Sequence, residues 1–383
     1  MICSGVGAIS GAPLRLSFDK LIETAARETA AGEFGAAPAA YVAPGFIDIQ
    51  VNGFAGVDYN WPGAPLEEIA RSIRAMFATG VTRFLPTVIT GAEEDMLGAL
   101  RNLARAKAEL DEGAAIEGIH VEGPHISPED GPRGAHPKRW VRRPDLNEFR
   151  RMQDAAQGLV RLVTLSPEWP EAPGYIEAAV AEGITISIGH TNASAAQIAA
   201  AVTAGATLST HLGNGAHGTL PRHPNYIWEQ LAEDRLAASF IVDGIHLPAS
   251  FLKVALRAKG AERAVLVTDA VTAAGCAPGR YRLGEQEVEL AADNSVRLPN
   301  GRLAGSALLM HRGVANLLRL GGLSLRDAVR AATVNPARVA QIARRQQGLA
   351  PGDRGDVVEF RLEGGEITVL RTWLDGRLVY GRG

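Results

Sequence analysis

The chain of 383 residues is long enough for one large domain with an appendage, or for two domains. Hydrophobic residues make up 46% of it and charged residues 21%, which is typical of a soluble globular protein with a sizeable core. Its net charge of −3 comes from 39 basic and 42 acidic side chains spread along the sequence. This balance excludes the basic stripe of a nucleic-acid-binding protein.

The cysteines and the N-terminus bear on the cellular compartment of the protein. Cys3 and Cys276 are too few for a disulfide framework and form no C-x-x-C motif, which favours a reducing cytoplasm. The N-terminus is mildly apolar but lacks the basic region of a signal peptide. No run of 18 apolar residues predicts a membrane span, so we expect a cytoplasmic protein without a membrane partner.

From residue 44 onwards, short β-rich runs alternate with amphipathic stretches of helical spacing, two of which end at Gly80 and Gly205. The eight runs are residues 45–50, 82–87, 117–122, 161–167, 185–190, 207–211, 238–243 and 264–270. Eight strand–helix units predict an α/β fold, a (β/α)8 TIM barrel with its active site at the C-terminal ends of the strands. A doubly wound sheet is the alternative, but the even spacing favours closure.

Two regions do not follow this repeat. Residues 272–303 alternate like the strands of a β-hairpin inserted in the barrel. The C-terminal tail also reads as strands and turns, whereas segment 19–35 fits a helix as well as a strand. The sequence therefore predicts a small β-domain, formed by residues 1–43 and 344–383, beside a barrel of residues 44–343.

Four residues with metal-binding or proton-transfer chemistry stand at the ends of predicted strands. His190 and His211 are one helix and one strand apart, so they should lie side by side on the barrel rim, with Glu122 converging from the opposite wall. One carboxylate and two imidazoles, with a position free for water, form the pattern of a catalytic zinc site. Asp269 is placed to exchange a proton with that water, although an Asp there also fits a helix N-cap.

Three further histidines each admit two interpretations. His136 and His246 are candidates to hydrogen-bond a substrate carbonyl or hydroxyl, and each could equally be an ordinary loop histidine. His120 shares the face of its strand with Glu122, one layer deeper. It either supports the metal ligand from behind or belongs to the core.

Seven motifs occur in an order that carries a family resemblance: PGFIDIQVNG, GIHVEGPHISPEDGPRGAHP, IGHTNAS, STHLGNG, VDGIHL, LVTDA and LAGSAL. Together they resemble the N-acetylglucosamine-6-phosphate deacetylase family of the amidohydrolase superfamily, from about residue 44 to residue 340. The resemblance implies a metal-bearing TIM barrel with a small β-sandwich. It also implies a homodimer in which part of the substrate pocket comes from the second chain.

Carried over residue by residue, the resemblance makes Glu122, His190 and His211 the metal ligands and Asp269 the general base and acid. The histidines of G-A-H and D-G-x-H contact the substrate in this family. They correspond to His136 and His246 here. Of the two interpretations, substrate contact and ordinary loop histidine, the resemblance therefore favours substrate contact.

The first barrel strand bears on the number of metals. Most of the superfamily carries His-x-His there, but this chain has Gln50 and Asn52, and neither amide is a good ligand for a transition metal. Family members with His-x-His hold two metals, and those with Gln-x-Asn work with one. The resemblance therefore implies one divalent metal per chain, Zn2+ with Fe2+ as the alternative, and places both amides beside the metal, not on it.

The segment after T-H-L departs from the family pattern of an aromatic residue followed by Asn-Ala-Met. Gly213 replaces the aromatic residue and Gly215 replaces the alanine, while Asn214 is retained. Asn214 and the backbone of Gly215 remain candidates to bind the sugar phosphate, and Arg222 stands where the family has a phosphate-binding arginine. His217 is either an added donor or part of a surface turn.

The sequence thus predicts hydrolysis of the acetamido group of N-acetylglucosamine 6-phosphate, giving glucosamine 6-phosphate and acetate. Its alternatives are another N-acetyl sugar, galacto-configured or unphosphorylated, and an N-acyl-D-amino acid. A non-catalytic sugar-binding protein with a decayed metal site is a different class, which the four intact strand-end residues disfavour.

Overall fold

The structure is a computed structural model that describes residues 1–27 and 40–382. Its β-strands, numbered along the chain, are β1 Ile2–Gly7, β2 Pro13–Phe18, β3 Ile22–Arg27, β4 Tyr41–Pro44, β5 Phe46–Val51, β6 Gly53–Phe54, β7 Val57–Asp58, β8 Val81–Ile89, β9 Ile119–Glu122, β10 Val160–Leu165, β11 Thr185–Ile188, β12 Leu208–Ser209, β13 Ala237–Ile241, β14 Ala264–Val267, β15 Gly279–Leu283, β16 Gln286–Leu290, β17 Val296–Arg297, β18 Val357–Glu363, β19 Glu366–Leu374 and β20 Arg377–Gly381.

The α-helices of the same residues cover the barrel. They are α1 Leu66–Phe77, α2 Glu93–Glu109, α3 Leu146–Ala155, α4 Ala172–Ala181, α5 Ala195–Thr203, α6 Tyr226–Ala232, α7 Ala249–Lys259, α8 Met310–Asn316, α9 Leu325–Ala331 and α10 Val334–Val339. Helix α1 shows why they pack there, since it buries Ile69, Ile73 and Met76 along one face. Within the described ranges, no helix combines the length and apolar character needed to cross a bilayer.

Eight parallel strands form the barrel, in the order β5, β8, β9, β10, β11, β12, β13, β14. They correspond to the eight predicted runs, so the predicted TIM barrel is confirmed. The ring closes between β14 and β5, where the N–H of Asp269 donates to the carbonyl of Gln50 at 3.0 Å and the N–H of Asn52 donates to that of Ala270 at 2.7 Å. This closure lies at the C-terminal rim.

A buried carboxylate supports the same closure from inside. Asp48 on β5 is 2% exposed and accepts hydrogen bonds from the hydroxyl of Thr268 at 2.5 Å and from its N–H at 3.2 Å. Burial raises the pKa of Asp48 to about 7, although these hydrogen bonds favour the ionised form. The side chain of one edge strand is therefore tied to the strand that completes the ring.

The second sheet has seven strands in the order β20, β19, β18, β4, β1, β2, β3, so both ends of the chain build it. Phe18 packs edge-on against Trp373 at 5.7 Å between ring centroids, within an apolar cluster that also contains Leu16 and Val42. The predicted β-domain from the two termini is thus confirmed. Of segment 19–35, Ile22–Arg27 is a strand, and residues 28–39 lie outside the described part.

A third, smaller sheet joins β15, β16 and β17, with β15 and β16 as an antiparallel hairpin. Its residues Leu283 and Val288 pack with Ile89 and Val271 in an apolar cluster separate from the main core. This sheet lies within the segment predicted to hold an inserted hairpin. The boundaries proposed for the two domains stay a prediction.

A buried ion network ties the barrel to the C-terminal part of the second sheet. Arg83 on β8 donates to Asp356 at 2.7 and 2.9 Å, and Arg345 donates to the same carboxylate. The side chains of Arg83 and Asp356 are 3% and 0% exposed. Burial raises the pKa of Asp356, but the charges of the two arginines outweigh it and hold the pKa at about 2.

Asp356→Asn is expected to lower the free energy of unfolding by about 3–5 kcal/mol, because it leaves the buried guanidinium group of Arg345 without its counter-charge and removes one of the carboxylates paired with Arg83. Urea unfolding measures the free energy of unfolding. The control is Asp234→Asn, which removes an exposed ion pair with Arg263 and should change that free energy little. The folded-state pKa of Asp356 lies below the unfolded value of about 4. Its contribution is therefore present above pH 4 and lost as the pH falls towards 2. Equal stability of both variants would contradict this role.

Candidate active site

A cavity of about 130 Å³ opens at the C-terminal rim of the barrel. Nine residues singled out by the sequence line it: Asn52, Glu122, His136, His190, His211, Asn214, Gly215, His246 and Asp269. Gln50 reaches it through a hydrogen bond to Glu122. Arg222 does not line the cavity and is exposed.

Three ligand atoms converge at the floor of this cavity. Oε1 of Glu122 lies 3.2 Å from Nε2 of His190 and 3.0 Å from Nε2 of His211, and the two Nε2 atoms are 3.0 Å apart. A tetrahedral zinc ion with ligands at roughly 2.0–2.2 Å separates neighbouring ligand atoms by about 3.3 Å. The cluster therefore has the dimensions of a site for one small divalent cation.

The electrostatics of the cluster also suit a cation. Burial raises the pKa of Glu122, but its hydrogen bonds to His190 and His211 hold it well below the usual range. Burial lowers the pKa of His211, yet the charge and hydrogen bond of Glu122 raise it overall. Three groups that point lone pairs at one place require a proton or a metal between them.

The imidazole of His190 is held by the backbone around it. Its Nδ1–H donates to the carbonyl of Pro132 at 2.9 Å, which fixes the ring with Nε2 facing Glu122. A Cβ on Gly215 would lie 2.7 Å from Nδ1 of this ring, and one on Gly134 would lie 3.1 Å from Cε1. Both glycines have positive φ, +54° and +59°, so the close approach needs residues without a side chain.

Backbone strain marks the same positions. His190, His211 and Asp269 each come two residues after the last residue of a barrel strand, and their φ angles are +49°, +29° and +50°. Positive φ is uncommon for residues other than glycine and clusters at functional sites. The chain turns sharply at these three points, and each side chain reaches the cavity.

A second grouping shares two of the ligands. Glu122, His136 and His190 also bring one ligand atom each within 4.8 Å of one another. However, Nδ1 of His136 is paired with the hydroxyl of Thr90 at 2.8 Å, and burial lowers the pKa of His136 to about 3. The shorter separations favour Glu122, His190 and His211 as the ligands and leave His136 as a neutral imidazole beside them.

Two amides at the end of the first barrel strand, Gln50 on β5 and Asn52 just after it, hold the two carboxylates of the site. Nε2 of Gln50 donates to Oε1 of Glu122 at 2.9 Å, and Nδ2 of Asn52 donates to Oδ1 of Asp269 at 2.7 Å. N–H donors thus face both carboxylates from the end of β5. Burial, followed by the charge of Glu122, raises the pKa of Asp269 to about 6. A carboxylate with such a pKa can both accept and return a proton near neutral pH.

The opposite side of the cavity is polar. Nδ1 of His246 lies 2.6 Å from Oδ2 of Asp243, which fixes the ring and leaves Nε2 for a ligand. Nδ2 of Asn214 donates to the carbonyl of His211 at 3.2 Å, which leaves its Oδ1 for a ligand. His217, in contrast, pairs with the hydroxyl of Tyr226 at 3.0 Å and does not line the cavity.

His120 lies below the cavity, inside the barrel. Its Nε2 is 2.8 Å from the hydroxyl of Thr164, and its Nδ1 is 3.4 Å from that of Thr87. Burial lowers its pKa to about 4, so it is neutral at physiological pH. These contacts favour the core interpretation, since His120 packs among hydroxyl groups of neighbouring strands.

Sequence reasoning missed the groups that orient the histidines. Thr90 meets His136 across 46 residues, and the carbonyl of Pro132 meets His190 across 58 residues, so neither contact has a local signal. Asp243 precedes His246 by three residues, a spacing that could have suggested the pair. The omissions arise because the loops fold back over the rim.

The barrel, the rim cavity and a Glu–His–His cluster beside a carboxylate define a metal-dependent hydrolase of the (β/α)8-barrel class. The sequence model described as "Amidohydrolase family" matches residues 41–379. N-acetylglucosamine-6-phosphate deacetylase of Bos taurus is 36% identical over 350 residues, which cover 88% of this chain and 83% of that protein. N-acetylgalactosamine-6-phosphate deacetylase of Escherichia coli O157:H7 is 33% identical, with 88% and 86% covered.

A solved structure gives the same result. A mutant N-acetyl-D-glucosamine-6-phosphate deacetylase of Mycobacterium smegmatis, in complex with N-acetyl-D-glucosamine-6-phosphate, superposes with a TM-score of 0.86. It is 32% identical, and the match covers 96% of this chain and 94% of that one. The chain belongs to the amidohydrolase family and, within it, to the N-acetylglucosamine-6-phosphate deacetylase family.

Gly215→Ala is expected to weaken Zn2+ binding about 10–100-fold, because the new methyl group displaces the ring of His190. Competition with a coloured chelator measures the affinity. Gly218→Ala in the same loop is the matched control, since a Cβ there meets no atom of the described residues within 4 Å. If both variants bound Zn2+ as tightly as the wild type, the backbone support of His190 would be refuted.

Proposed function

We propose that the chain hydrolyses the acetamido group of N-acetylglucosamine 6-phosphate and releases glucosamine 6-phosphate and acetate. The observation that carries this proposal is the buried cluster of Glu122, His190 and His211 at the barrel rim, with the ionisable Asp269 beside it. The family supplies the substrate class, since its named members act on N-acetylated sugar phosphates.

Glu122, His190 and His211 would hold one divalent metal ion, Zn2+ with Fe2+ as the alternative. When bound, such an ion lowers the pKa of a water to roughly 7 and polarises the amide carbonyl. Gln50 and Asn52 support a single metal ion per chain. Their N–H groups donate to Glu122 and Asp269 at the place where a second ion would need lone pairs as ligands.

Asp269 moves the proton in the proposed reaction. Its carboxylate accepts a proton from the attacking water as the oxygen–carbon bond forms, and Asn52 keeps its Oδ1 in place. It then delivers that proton to the amide nitrogen while the carbon–nitrogen bond breaks. The amine leaves neutral, and the acyl group leaves as acetic acid, which then loses its proton to the solvent and becomes acetate.

The remaining residues bind and orient the substrate in this proposal. With the hydroxyl of Thr90 donating to Nδ1 of His136, Nε2–H of that neutral ring donates to the carbonyl oxygen, where negative charge develops. Nε2 of His246, set by Asp243, accepts from a sugar hydroxyl. Asn214 and the backbone of Gly215 meet the sugar phosphate on the same side of the cavity.

A galacto-configured sugar phosphate is the second candidate. One relative of comparable identity is named for N-acetylgalactosamine 6-phosphate, and the loop that carries Gly213 and His217 departs from the family pattern.

We propose a cytoplasmic homodimer, in agreement with the free thiols of Cys3 and Cys276. The exposed Arg222 could then act at a phosphate in a pocket completed by the second chain.

Acetate release from a panel of substrates tests the function. We expect the highest kcat/KM for N-acetylglucosamine 6-phosphate, ahead of the galacto epimer, the unphosphorylated sugar and an N-acetyl-D-amino acid.

Asp269→Asn should lower kcat about 10²–10⁴-fold with its metal content retained. Asp293→Asn, in an exposed turn, is the matched control. The proposal fails if no N-acetyl sugar releases acetate, and an unchanged KM in Arg222→Ala would remove Arg222 from the phosphate site.

The metal content provides an independent test. Elemental analysis of protein loaded with Zn2+ and freed of excess should give one equivalent per chain, and His211→Asn should hold well under one. His223→Asn, at an exposed histidine, should keep the full equivalent. Two tightly bound equivalents in the wild type would contradict the roles given to Gln50 and Asn52.

A further inference from the structure

The cavity at the barrel rim has a polar and an apolar wall. Asn214, Gly215 and His246 contribute the polar groups described above. The apolar wall is formed by Ile89 at the end of β8, Leu283 at the end of β15, and Ala135 and Leu303 beside them. Ile89, Leu283 and Ala135 pack in one apolar cluster. A further apolar lining residue, Ile241, belongs to the interior core of the barrel.

These walls fix the direction in which an N-acyl sugar can lie. The carbonyl carbon must meet the ligand cluster and Asp269, and the acyl chain and the amine leave it in different directions. Sugar hydroxyls and a phosphate need hydrogen-bond partners when they are removed from water, whereas an acyl methyl group needs none. The sugar therefore belongs at the polar wall, and the acyl group belongs against Ile89 and Leu283.

A second and larger cavity lies behind that apolar wall. Its volume is about 670 Å³, and Trp61, Met96 and Tyr281 are among its lining residues. Ile89 and Leu283 line both cavities, so their side chains stand between the acyl position and this space. Ile89 is 9% exposed and Leu283 is 4% exposed, which shows that neighbouring atoms hold both in place.

The hairpin keeps Leu283 fixed through the residues on either side of it. The hydroxyl of Thr272 donates to the carbonyl of Arg282, and the N–H of Gly284 donates to Oδ2 of Asp58 at 2.7 Å. Nε2 of Gln286 further ties the hairpin to the carbonyl of Ala135 at 2.6 Å. These hydrogen bonds fix the backbone on both sides of Leu283 and so hold its side chain between the two cavities.

We propose that Ile89 and Leu283 determine the acyl specificity of the enzyme by closing the acyl subsite behind the acetyl methyl group. Without these side chains, the acyl subsite would extend into the larger cavity and accept longer linear acyl chains. This inference rests on the proposed function, since it assigns one part of the same substrate.

A series of N-acetyl-, N-propionyl- and N-butyrylglucosamine 6-phosphates tests the inference. In the wild type, kcat/KM should fall at least about tenfold for each added methylene, the scale on which a filled apolar pocket discriminates by size. Leu283→Ala and Ile89→Ala should each raise the butyryl-to-acetyl ratio of kcat/KM at least about tenfold. Leu283→Val provides a milder change if a truncation to alanine prevents folding.

Met96→Ala is the matched control, because Met96 is buried and lines the larger cavity without lining the catalytic one. It should keep the chain-length profile of the wild type. If the wild type hydrolyses the acetyl substrate and the folded Leu283 and Ile89 variants keep its profile, the inference is wrong while the proposed function stands. If the wild type hydrolyses no member of the series, the proposed function fails, and this inference fails with it.

Discussion

The pairing of β14 with β5 is the constraint on which the site depends. It closes the ring at the C-terminal rim through the N–H groups of Asp269 and Asn52, and Asp48 reinforces it from inside. Because the ring is closed there, Asn52 comes within 2.7 Å of the carboxylate of Asp269. Gln50, on the same strand-end segment as Asn52, reaches Glu122 across β8, which lies between β5 and β9 in the sheet. An open sheet would leave Asp269 and Asn52 at opposite edges.

Two buried carboxylates then acquire different properties in one cavity. Burial disfavours the charged form of both Glu122 and Asp269. Hydrogen bonds and charge from His190 and His211 reverse that effect for Glu122, whereas Asp269 is raised further by the charge of Glu122 itself. Environments that push two pKa values apart separate the roles of an acid–base pair. In the proposed reaction, Glu122 stays ionised as a metal ligand, and Asp269 is free to exchange a proton.

Much of this arrangement could be predicted from the sequence, because it depends on periodicity and on strand ends. The eight strands followed from β-rich runs between helical stretches, and parallel strands in a ring carry their last residues to one rim. Glu122, His190, His211 and Asp269 could therefore be placed together before any contact was known. Segment 19–35 gave no such pattern, and its strand Ile22–Arg27 takes its structure from pairing with β2.

The groups that could not be predicted lie on loops and on the inserted hairpin. Leu283 is an unremarkable apolar residue in sequence, and only the packing of the hairpin against Ile89 places it beside the cavity. Arg222 could be aligned with the family but proved to be exposed on its loop. Contacts of this kind depend on tertiary folding and leave no local pattern.

This division has a functional consequence. The proposed metal ligands and Asp269 lie at or just after the ends of barrel strands, whereas the apolar wall of the cavity is shared between the end of β8 and the hairpin that follows β14. Asp269 is bonded to Gln50 and Asn52, whereas the hairpin is bonded to Asp58, Ala135 and Thr272. In the proposed arrangement, a change in the hairpin can therefore move Leu283 with little effect on Asp269. Substrate range in this fold can therefore change through the insertion while the chemistry of the rim is retained.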